Sequence, residues 1–193
     1  MIYPANKDTL KYAVPLLLDG EVIVYPTDTL YGFGVDATNT ESIYKLNALK
    51  GRTQPLSIIL ENIRDIINYG IIKSNFKKNI SKLFPGPYTI LIPKSESDLS
   101  PLVTYGSQNI GIRIPDHPFP VKLVEKLKRP IITTSINRHG NEPLNDISQV
   151  EIDFPDIAIF EDNIIKKSMG STIIDFSINP PEIIRKGDGK YPL

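Results

Sequence analysis

Two short groups of polar residues, far apart in the sequence, have the chemistry of an anion-binding site. Lys50 and Arg52 flank Gly51 at the end of a predicted helix. Ser135 and Asn137 follow an apolar predicted strand. A guanidinium binds phosphate oxygens in a bidentate manner, and an ammonium adds a mobile point charge. Together the two groups suggest a polyanionic ligand held across a sheet.

Each group also has a purely structural explanation, which the sequence leaves open. Cations are common in the last turn of a helix, where they interact favourably with the helix dipole, so Lys50 and Arg52 are also compatible with a solvated helix end. Ser and Asn are common in turns, so Ser135 and Asn137 are also compatible with a polar strand exit.

A third polar group, Thr27 to Thr29, lies where a predicted strand ends at Pro26. Asp28 is the carboxylate of this group, and it is suited either to assist Mg²⁺ or to orient Lys50. Thr27 or Asp28 capping a turn is the alternative. The sequence does not decide among these roles.

Arg113 lies on a predicted strand whose neighbours alternate with it, namely Ile110, Ile112 and Ile114. Because successive side chains of a strand point to opposite faces, we expect Arg113 to point away from these isoleucines. A structural salt bridge is the alternative to a ligand for this guanidinium.

The elements that must position these groups are short β-branched runs that alternate with helical patterns. Pro15 interrupts the first helix and should kink or shorten it. The predicted strands are Val22–Tyr25, Ser57–Leu60, Tyr88–Ile92, Gly111–Ile114, Ile131–Thr134, Ile157–Phe160, Ser171–Ile174 and Ile183–Ile184. The predicted helices are Asp8–Leu18, Thr40–Leu49, Ser74–Phe84 and Val121–Leu127.

Apolar strands interleaved with helices predict an α/β fold, an open twisted mixed sheet flanked by helices. A length of 193 residues fits one domain, which we expect to span residues 1–193. Lys plus Arg equals Asp plus Glu at 22 each, which argues against a dedicated nucleic-acid binder but leaves a local, concave cationic cavity possible.

Composition excludes several other classes of function. The chain has no cysteine, which excludes a disulfide framework and a thiol nucleophile. With two histidines and no cysteine, a structural zinc site is not expected. Neither a P-loop nor a Rossmann glycine motif is present. No apolar run approaches the length of a membrane span, so we expect a cytoplasmic protein that does not associate with a membrane.

The polar groups, in this order and at these separations, resemble the YrdC/Sua5 family, the L-threonylcarbamoyladenylate synthases, with its KxR and SxN signatures. The resemblance runs from about Tyr25 to Gly187 and is closest to the short, single-domain form of the family. At Ile136 the family usually has a smaller residue, and we expect this side chain to point into the core. Further segments that carry the resemblance are Pro85–Thr89, Ile110–Pro118, Ser171–Asp175 and Ile183–Gly187.

The resemblance implies specific roles for individual residues. It assigns catalysis to Lys50 and Arg52, which contact the ATP phosphates. The L-threonine contacts that it implies are Thr29, Arg113, Ser135 and Ser171. The ATP contacts that it implies are Lys50, Arg52, Asn109, Thr133, Asn137 and Arg185.

The resemblance also implies a reaction, in which L-threonine, bicarbonate and ATP, with Mg²⁺, give threonylcarbamoyl-AMP and pyrophosphate. A tRNA threonylcarbamoyl transferase complex would then use the product to modify adenosine 37 of tRNA. Two alternatives remain at this point: an RNA-binding or translation-associated module of the same fold, and a paralogue without synthase activity. Some weak RNA binding is compatible with either interpretation.

Overall fold

One mixed sheet of ten strands organises the part of the chain that this computed structural model describes, residues 1–51, 53–137, 141–162 and 167–191. The strands are β1 (Ile2–Pro4), β2 (Ile23–Tyr25), β3 (Gly32–Gly34), β4 (Ser57–Ile59), β5 (Tyr88–Pro93), β6 (Asn109–Arg113), β7 (Ile131–Ser135), β8 (Ala158–Glu161), β9 (Thr172–Asp175) and β10 (Glu182–Arg185).

The strand order is β1-β8-β2-β3-β7-β4-β6-β5-β9-β10. The pairs β1–β8, β2–β8, β4–β6 and β5–β9 are parallel, and the other neighbours are antiparallel. This arrangement brings β3 and β4 to either side of β7, so the chain segments that enter these two strands meet the carboxyl end of β7. The predicted mixed α/β sheet is therefore confirmed.

Helices cover both faces of the sheet. On β2, Ile23 and Tyr25 pack with α1 and α4, whereas Val24 belongs to the larger cluster on the opposite face. The α-helices are α1 (Leu10–Leu18), α2 (Thr40–Lys50), α3 (Lys77–Ile80), α4 (Pro118–Leu127) and α5 (Ile147–Asp153), and the 3₁₀ segments are Ile63–Asn68 and Ser74–Phe76. None of the helices in the described ranges is long and apolar enough to cross a membrane.

Helix α2 ends as the sequence predicts. The Asn39 side chain caps its first turn by accepting a hydrogen bond from the Ser42 backbone N–H at 3.1 Å. At the other end, Gly51 has a φ of 65°, a left-handed conformation that glycine adopts without a steric penalty. The helix thus ends at Lys50, so this cation lies in the last turn of the helix.

The predicted helix Ser74–Phe84 is wrong as a single α-helix. The segment forms a 3₁₀ turn, then the single α-turn of α3, and then i→i−3 bonds such as the one from the Leu83 N–H to the Ile80 carbonyl. Its apolar residues are buried all the same, among them Phe76, Ile80 and Leu83. The spacing of the apolar residues therefore gave the buried face correctly, but it does not distinguish between these helical types.

The sequence-based prediction lacked two strands, β1 and β3, as well as helix α5 and the 3₁₀ segment Ile63–Asn68. Strand β3 consists of Gly32, Phe33 and Gly34, and glycine disfavours strands. The Tyr25 ring packs directly against Gly34, where a Cβ atom would lie only 2.5 Å from the ring. Glycine at this position thus permits a close approach between strands that local propensity does not reveal.

Candidate active site

A polar cavity of about 220 Å³ lies where strands from both halves of the sheet end. Its walls come from the segment before β3, the entry to β4, the end of β7 and the segment that leads into β9. Among the described lining residues two have guanidinium groups, and none is a carboxylate. The lining residues are Thr29, Leu30, Tyr31, Gly32, Pro55, Leu56, Ser57, Thr89, Arg113, Thr133, Thr134, Ser135, Pro143, Met169, Gly170, Ser171, Ile173 and Arg185.

Arg113, the last residue of β6, supplies one of the two guanidinium groups. Its Nη2 donates to Asp28 Oδ1 at 2.6 Å and to Thr29 Oγ1 at 3.1 Å. The residue is 7% exposed, and its Nε atom is buried without a hydrogen-bond partner. Ile112 is fully buried and belongs to the core, so the predicted alternation of side chains along this strand is confirmed.

Asp28 orients Arg113 instead of Lys50, which settles one question that the sequence left open. Its Oδ1 forms the ion pair with Arg113, and its Oδ2 accepts from the Asp116 backbone N–H at 3.1 Å. Both side chains of the ion pair are at least nine-tenths buried. The carboxylate therefore fixes the position of the guanidinium and compensates part of its charge.

Arg185, the last residue of β10, supplies the second guanidinium group. Its Nη2 donates to the Ser171 carbonyl at 2.8 Å and to Ser171 Oγ at 3.1 Å. Ser171 Oγ in turn lies 2.8 Å from Thr89 Oγ1. Burial lowers the pKa of Arg185, and the positive charge of Arg113 lowers it further. Two cations thus share this cavity at an electrostatic cost, which an anionic ligand would relieve.

Lys50 points inward, away from the lining of the cavity. Its Nζ donates to the carbonyl oxygens of Ser135 and Asn137 and, at 2.9 Å, to Asn137 Oδ1. The residue is 1% exposed, and its Nζ lies 5.7 Å from the centre of the Phe33 ring. In this arrangement Lys50 holds the end of β7 and the residues that follow it, so the structure brings Lys50 together with Ser135 and Asn137.

The segment Ser135 to Asn137 is held from both of its ends. Ser135 lines the cavity, and its Oγ donates to Asn137 Oδ1 at 2.8 Å. Asn137 Nδ2 donates to the Asn141 carbonyl at 2.9 Å. Between them, Ile136 is fully buried in the core, as predicted.

The other predicted site residues differ in position. Thr29 and Thr133 line the cavity. Asn109 is not among the lining residues, and its Nδ2 donates to Ser177 Oγ at 3.0 Å. Asn109 lies at the opposite end of β6 from Arg113, about 13 Å away along the strand. Arg52 lies outside the described residues.

Sequence reasoning missed a partly buried polar cluster that includes Tyr31, one of the lining residues of the cavity. The Tyr31 hydroxyl donates to Asp162 Oδ1 at 2.9 Å, and His117 Nε2 lies 3.0 Å from Asp162 Oδ2. Because His117 Nδ1 accepts from the Phe119 N–H, Nε2 carries the proton that is shared with Asp162. Burial and the Asp162 carboxylate raise the pKa of Tyr31. The cluster joins the segment before β3 to the start of α4, and no local motif links its members.

A metal centre built from protein side chains is not found among the described residues. These residues contain no group of three or more His, Cys, Asp or Glu side chains that could hold an ion. The described cavity walls offer hydroxyl and carbonyl oxygens but no carboxylate. Such walls do not form a dedicated Mg²⁺ site, although they are compatible with an ion bound mainly by phosphates and water.

Fold and site together define a class of α/β proteins with a guanidinium-lined cavity at the strand ends of a mixed sheet. The model of the Sua5/YciO/YrdC family, which carries the description "Telomere recombination", matches residues 15–187. This chain therefore belongs to the Sua5/YciO/YrdC family.

Relatives within the family have consistent names. A Photobacterium profundum protein named threonylcarbamoyl-AMP synthase is 34% identical over 149 residues, which are 75% of this chain and 80% of the relative. A Bacillus subtilis protein of the same name is 29% identical over 187 residues, which are 94% of this chain but 54% of the relative. The chain thus spans about half the length of the second relative.

Solved structures agree with the fold. P. abyssi Sua5 complexed with L-threonine has a TM-score of 0.86 and 26% identity, over 97% of this chain and 56% of that protein. E. coli YciO has a TM-score of 0.88 over 98% of this chain and 97% of that protein, and at 21% identity it supports the fold alone.

Proposed function

We propose that this chain is a threonylcarbamoyl-AMP synthase, which joins L-threonine, bicarbonate and ATP and releases pyrophosphate. The observation that carries the proposal is the meeting of Arg113 and Arg185 with several hydroxyl groups in one cavity. Two cations and no described carboxylate in the lining suit a ligand that combines a carboxylate with phosphates. The names of the relatives support this reading and give no support to an RNA-binding module.

The reaction requires alignment and charge neutralisation more than proton transfer. The amine of threonine adds to CO₂ derived from bicarbonate and, after loss of a proton, becomes a carbamate. A carbamate oxygen then attacks the α-phosphorus of ATP, and the bond to the leaving pyrophosphate breaks. Because the attacking oxygen is already anionic, this step needs no strong side-chain base, and fixed cations supply the main stabilisation.

The threonine side of the proposed site centres on Arg113. Arg113 lines the cavity, and its guanidinium is suited to bind the carboxylate of an amino acid. The hydroxyl groups of Thr29, Ser135 and Ser171 line the same cavity and offer partners for the amine and the hydroxyl of threonine. These contacts would discriminate among amino acids by hydrogen bonding.

The ATP side centres on Arg185, whose anchoring groups among the described residues are neutral and whose charge therefore remains for a phosphate. At about 220 Å³ the cavity is smaller than the roughly 300–1,000 Å³ of typical small-molecule sites, so the nucleoside would extend out of its mouth. The remaining ATP contacts that the family resemblance implies are Lys50, Arg52, Asn109, Thr133 and Asn137, of which Thr133 lines the cavity and Asn109 lies at the other end of β6. Mg²⁺ would enter as the counter-ion of the ATP phosphates.

The biological setting follows from the product. Threonylcarbamoyl-AMP is an activated acyl donor, so a transferase must consume it, and we propose the tRNA threonylcarbamoyl transferase complex acting on adenosine 37. We also propose that the chain works as a single domain in the cytoplasm.

The test is a direct search for the product. Purified protein is incubated with ATP, Mg²⁺, bicarbonate and L-threonine, and threonylcarbamoyl-AMP is measured by mass spectrometry alongside released pyrophosphate. We expect both products, and we expect both to depend on threonine and on bicarbonate. Pyrophosphate release that is indifferent to threonine would contradict the proposal, and so would a folded, ATP-binding protein that forms no adenylate.

A further inference from the structure

A carboxylate outside the cavity holds one of its walls. Met169, Gly170 and Ser171 line the cavity, whereas Asp188 does not. Asp188 Oδ1 accepts from the Met169 backbone N–H at 2.9 Å. Its Oδ2 accepts from the Ser168 hydroxyl at 2.5 Å. Hydrogen bonds to an ionised acceptor are stronger than those between neutral groups, so these two bonds are suited to hold the wall even at an exposed position.

The same contact is closed by two further hydrogen bonds. Ser168 Oγ accepts from the Gly170 N–H at 2.9 Å, and the Asp188 N–H donates to the Gly170 carbonyl at 2.9 Å. Gly170 has a φ of 82°, a conformation that glycine adopts without a steric penalty, and the bonds to its N–H and carbonyl hold the loop in this turn. We call this set, Ser168, Gly170 and Asp188, the wall clamp.

The wall clamp lies next to two side chains that line the cavity, Ser171 and Arg185. A Cβ atom at Gly187 would lie 2.3 Å from the Gly170 carbonyl oxygen, so the two backbones are in close contact. Arg185 precedes Gly187 by two residues, and its guanidinium donates hydrogen bonds to the backbone carbonyl and to the hydroxyl of Ser171. A shift of the clamp would therefore move the Ser171 hydroxyl and the Arg185 guanidinium together.

We propose that Asp188 is a positioning residue, which holds the wall Met169–Ser171 at the distance from Arg113 that the substrates need. The proposal rests on the proposed synthase activity for the identity of the substrates. It assigns Asp188 no contact with substrate, so its effect should fall on substrate binding through Ser171 and Arg185.

The first test compares Asp188→Ala with Asp188→Asn. We expect Asp188→Ala to raise KM for threonine about fivefold to thirtyfold with a smaller change in kcat, because the cavity is loosened while the reacting groups remain. Asp188→Asn keeps an acceptor for the Met169 N–H but loses the charge, so it should recover only part of the loss. Asp153→Ala is the matched control, because Asp153 is an exposed carboxylate with one surface hydrogen bond from Gln149.

The second test separates positioning from a general loss of stability. Ser168→Ala removes the other side chain of the wall clamp, so its effect should not add to that of Asp188→Ala in the double variant. Amide hydrogen exchange at Met169 should accelerate about fivefold to thirtyfold in Asp188→Ala, while amides of the central strand β7 keep their protection. Unchanged KM, or a raised KM with unchanged exchange at Met169, would overturn the proposal.

Failure of the proposed synthase would give a different pattern. In that case the unmodified protein forms no adenylate, whereas the exchange at Met169 still depends on Asp188. Calorimetric titration of threonine into both proteins then replaces KM as the readout. Equal threonine affinity with and without the Asp188 carboxylate would still count against the positioning role.

Discussion

The two guanidinium groups of the cavity are held in opposite ways. Arg113 ends a strand inside the sheet and pairs with a buried carboxylate, Asp28, at 2.6 Å. Arg185 ends the edge strand β10 and bonds to Ser171, whose carbonyl and hydroxyl are neutral. The first cation is thus fixed in place and partly compensated, whereas the second keeps its net charge among the described residues.

The difference shows how one cavity can receive two kinds of anion. A guanidinium that is rigid and partly neutralised favours a group with a defined geometry, such as the carboxylate of an amino acid. A guanidinium anchored by neutral groups has more charge to offer a phosphate whose charge develops during the reaction. If Arg113 binds the carboxylate and Arg185 the phosphates, variants of the two arginines should differ in stability, activity and ligand binding.

Replacing Arg113 should damage both folding and activity. Arg113→Ala leaves the Asp28 carboxylate buried without its cation, so we expect a loss of about 3–5 kcal/mol in the free energy of unfolding. Urea denaturation measures this loss. Adding Asp28→Asn should restore much of the stability, because the uncompensated charge is removed, but it should not restore threonine-dependent activity. A stable Arg113→Ala single variant would show that the ion pair is not the anchor described here.

Replacing Arg185 should damage activity alone. Arg185→Ala should lower kcat/KM by about two to three decades, the usual effect of losing a charged contact to a transition state. Its free energy of unfolding should change by no more than about 1 kcal/mol, because the Ser171 groups it leaves are neutral and the Ser171 hydroxyl keeps its contact with Thr89. Adenylate formation and urea denaturation on the same preparation check both statements. Equal destabilisation by Arg113→Ala and Arg185→Ala would contradict the difference in how the two guanidinium groups are held.

Ligand-induced stabilisation should separate the two sides of the cavity. Each substrate at about a hundred times its Kd should stabilise the protein by about 2.7 kcal/mol if it binds only the folded state. We expect Arg185→Ala to keep the thermal shift caused by threonine and to lose most of the shift caused by MgATP. A variant that loses both shifts equally would indicate one shared anion site.

Selectivity among amino acids should show the smallest effect and sharpen the threonine side. Serine lacks a methyl group, so discrimination against it should be modest, about 1–3 kcal/mol. Valine replaces the hydroxyl with a methyl group and leaves polar groups of the cavity unpaired, so it should be rejected more strongly. Adenylate formation at matched concentrations of threonine, serine and valine gives the comparison. Valine turnover as fast as that of serine would contradict the polar wall made by Thr29, Ser135 and Ser171.

Local sequence patterns predicted most of the fold. Helix α2 and its end at Gly51 followed from an apolar stripe and a terminal glycine, and β7 followed from a β-branched run. Strand β3 did not, because two of its three residues are glycines, and only the tertiary structure shows that Gly34 leaves room for the Tyr25 ring. The helix predicted over Ser74–Phe84 is wrong as a single α-helix, since one apolar spacing fits both a 3₁₀ turn and an α-turn.

The sequence motifs named several residues that meet at one cavity, and the roles of these residues stay predictions. Thr29, Arg113, Ser135, Ser171 and Arg185 line one cavity, as their motifs suggested. Lys50 holds the end of β7 from behind instead of lining the cavity, and Asn109 lies at the far end of β6. A three-residue motif does not determine whether a long side chain points into the cavity or into the core.

The sequence by itself determined the family, the mixed α/β sheet and the residue types that meet at the strand ends, because these follow from local periodicity and short motifs. Only the tertiary structure decided that Asp28 pairs with Arg113, that Arg185 rests on Ser171, and that Asp188 clamps the wall beside them. Each of these contacts joins segments brought together by strand pairing or by the return of the chain. Their geometry depends on the packing of the whole sheet, which no local pattern encodes.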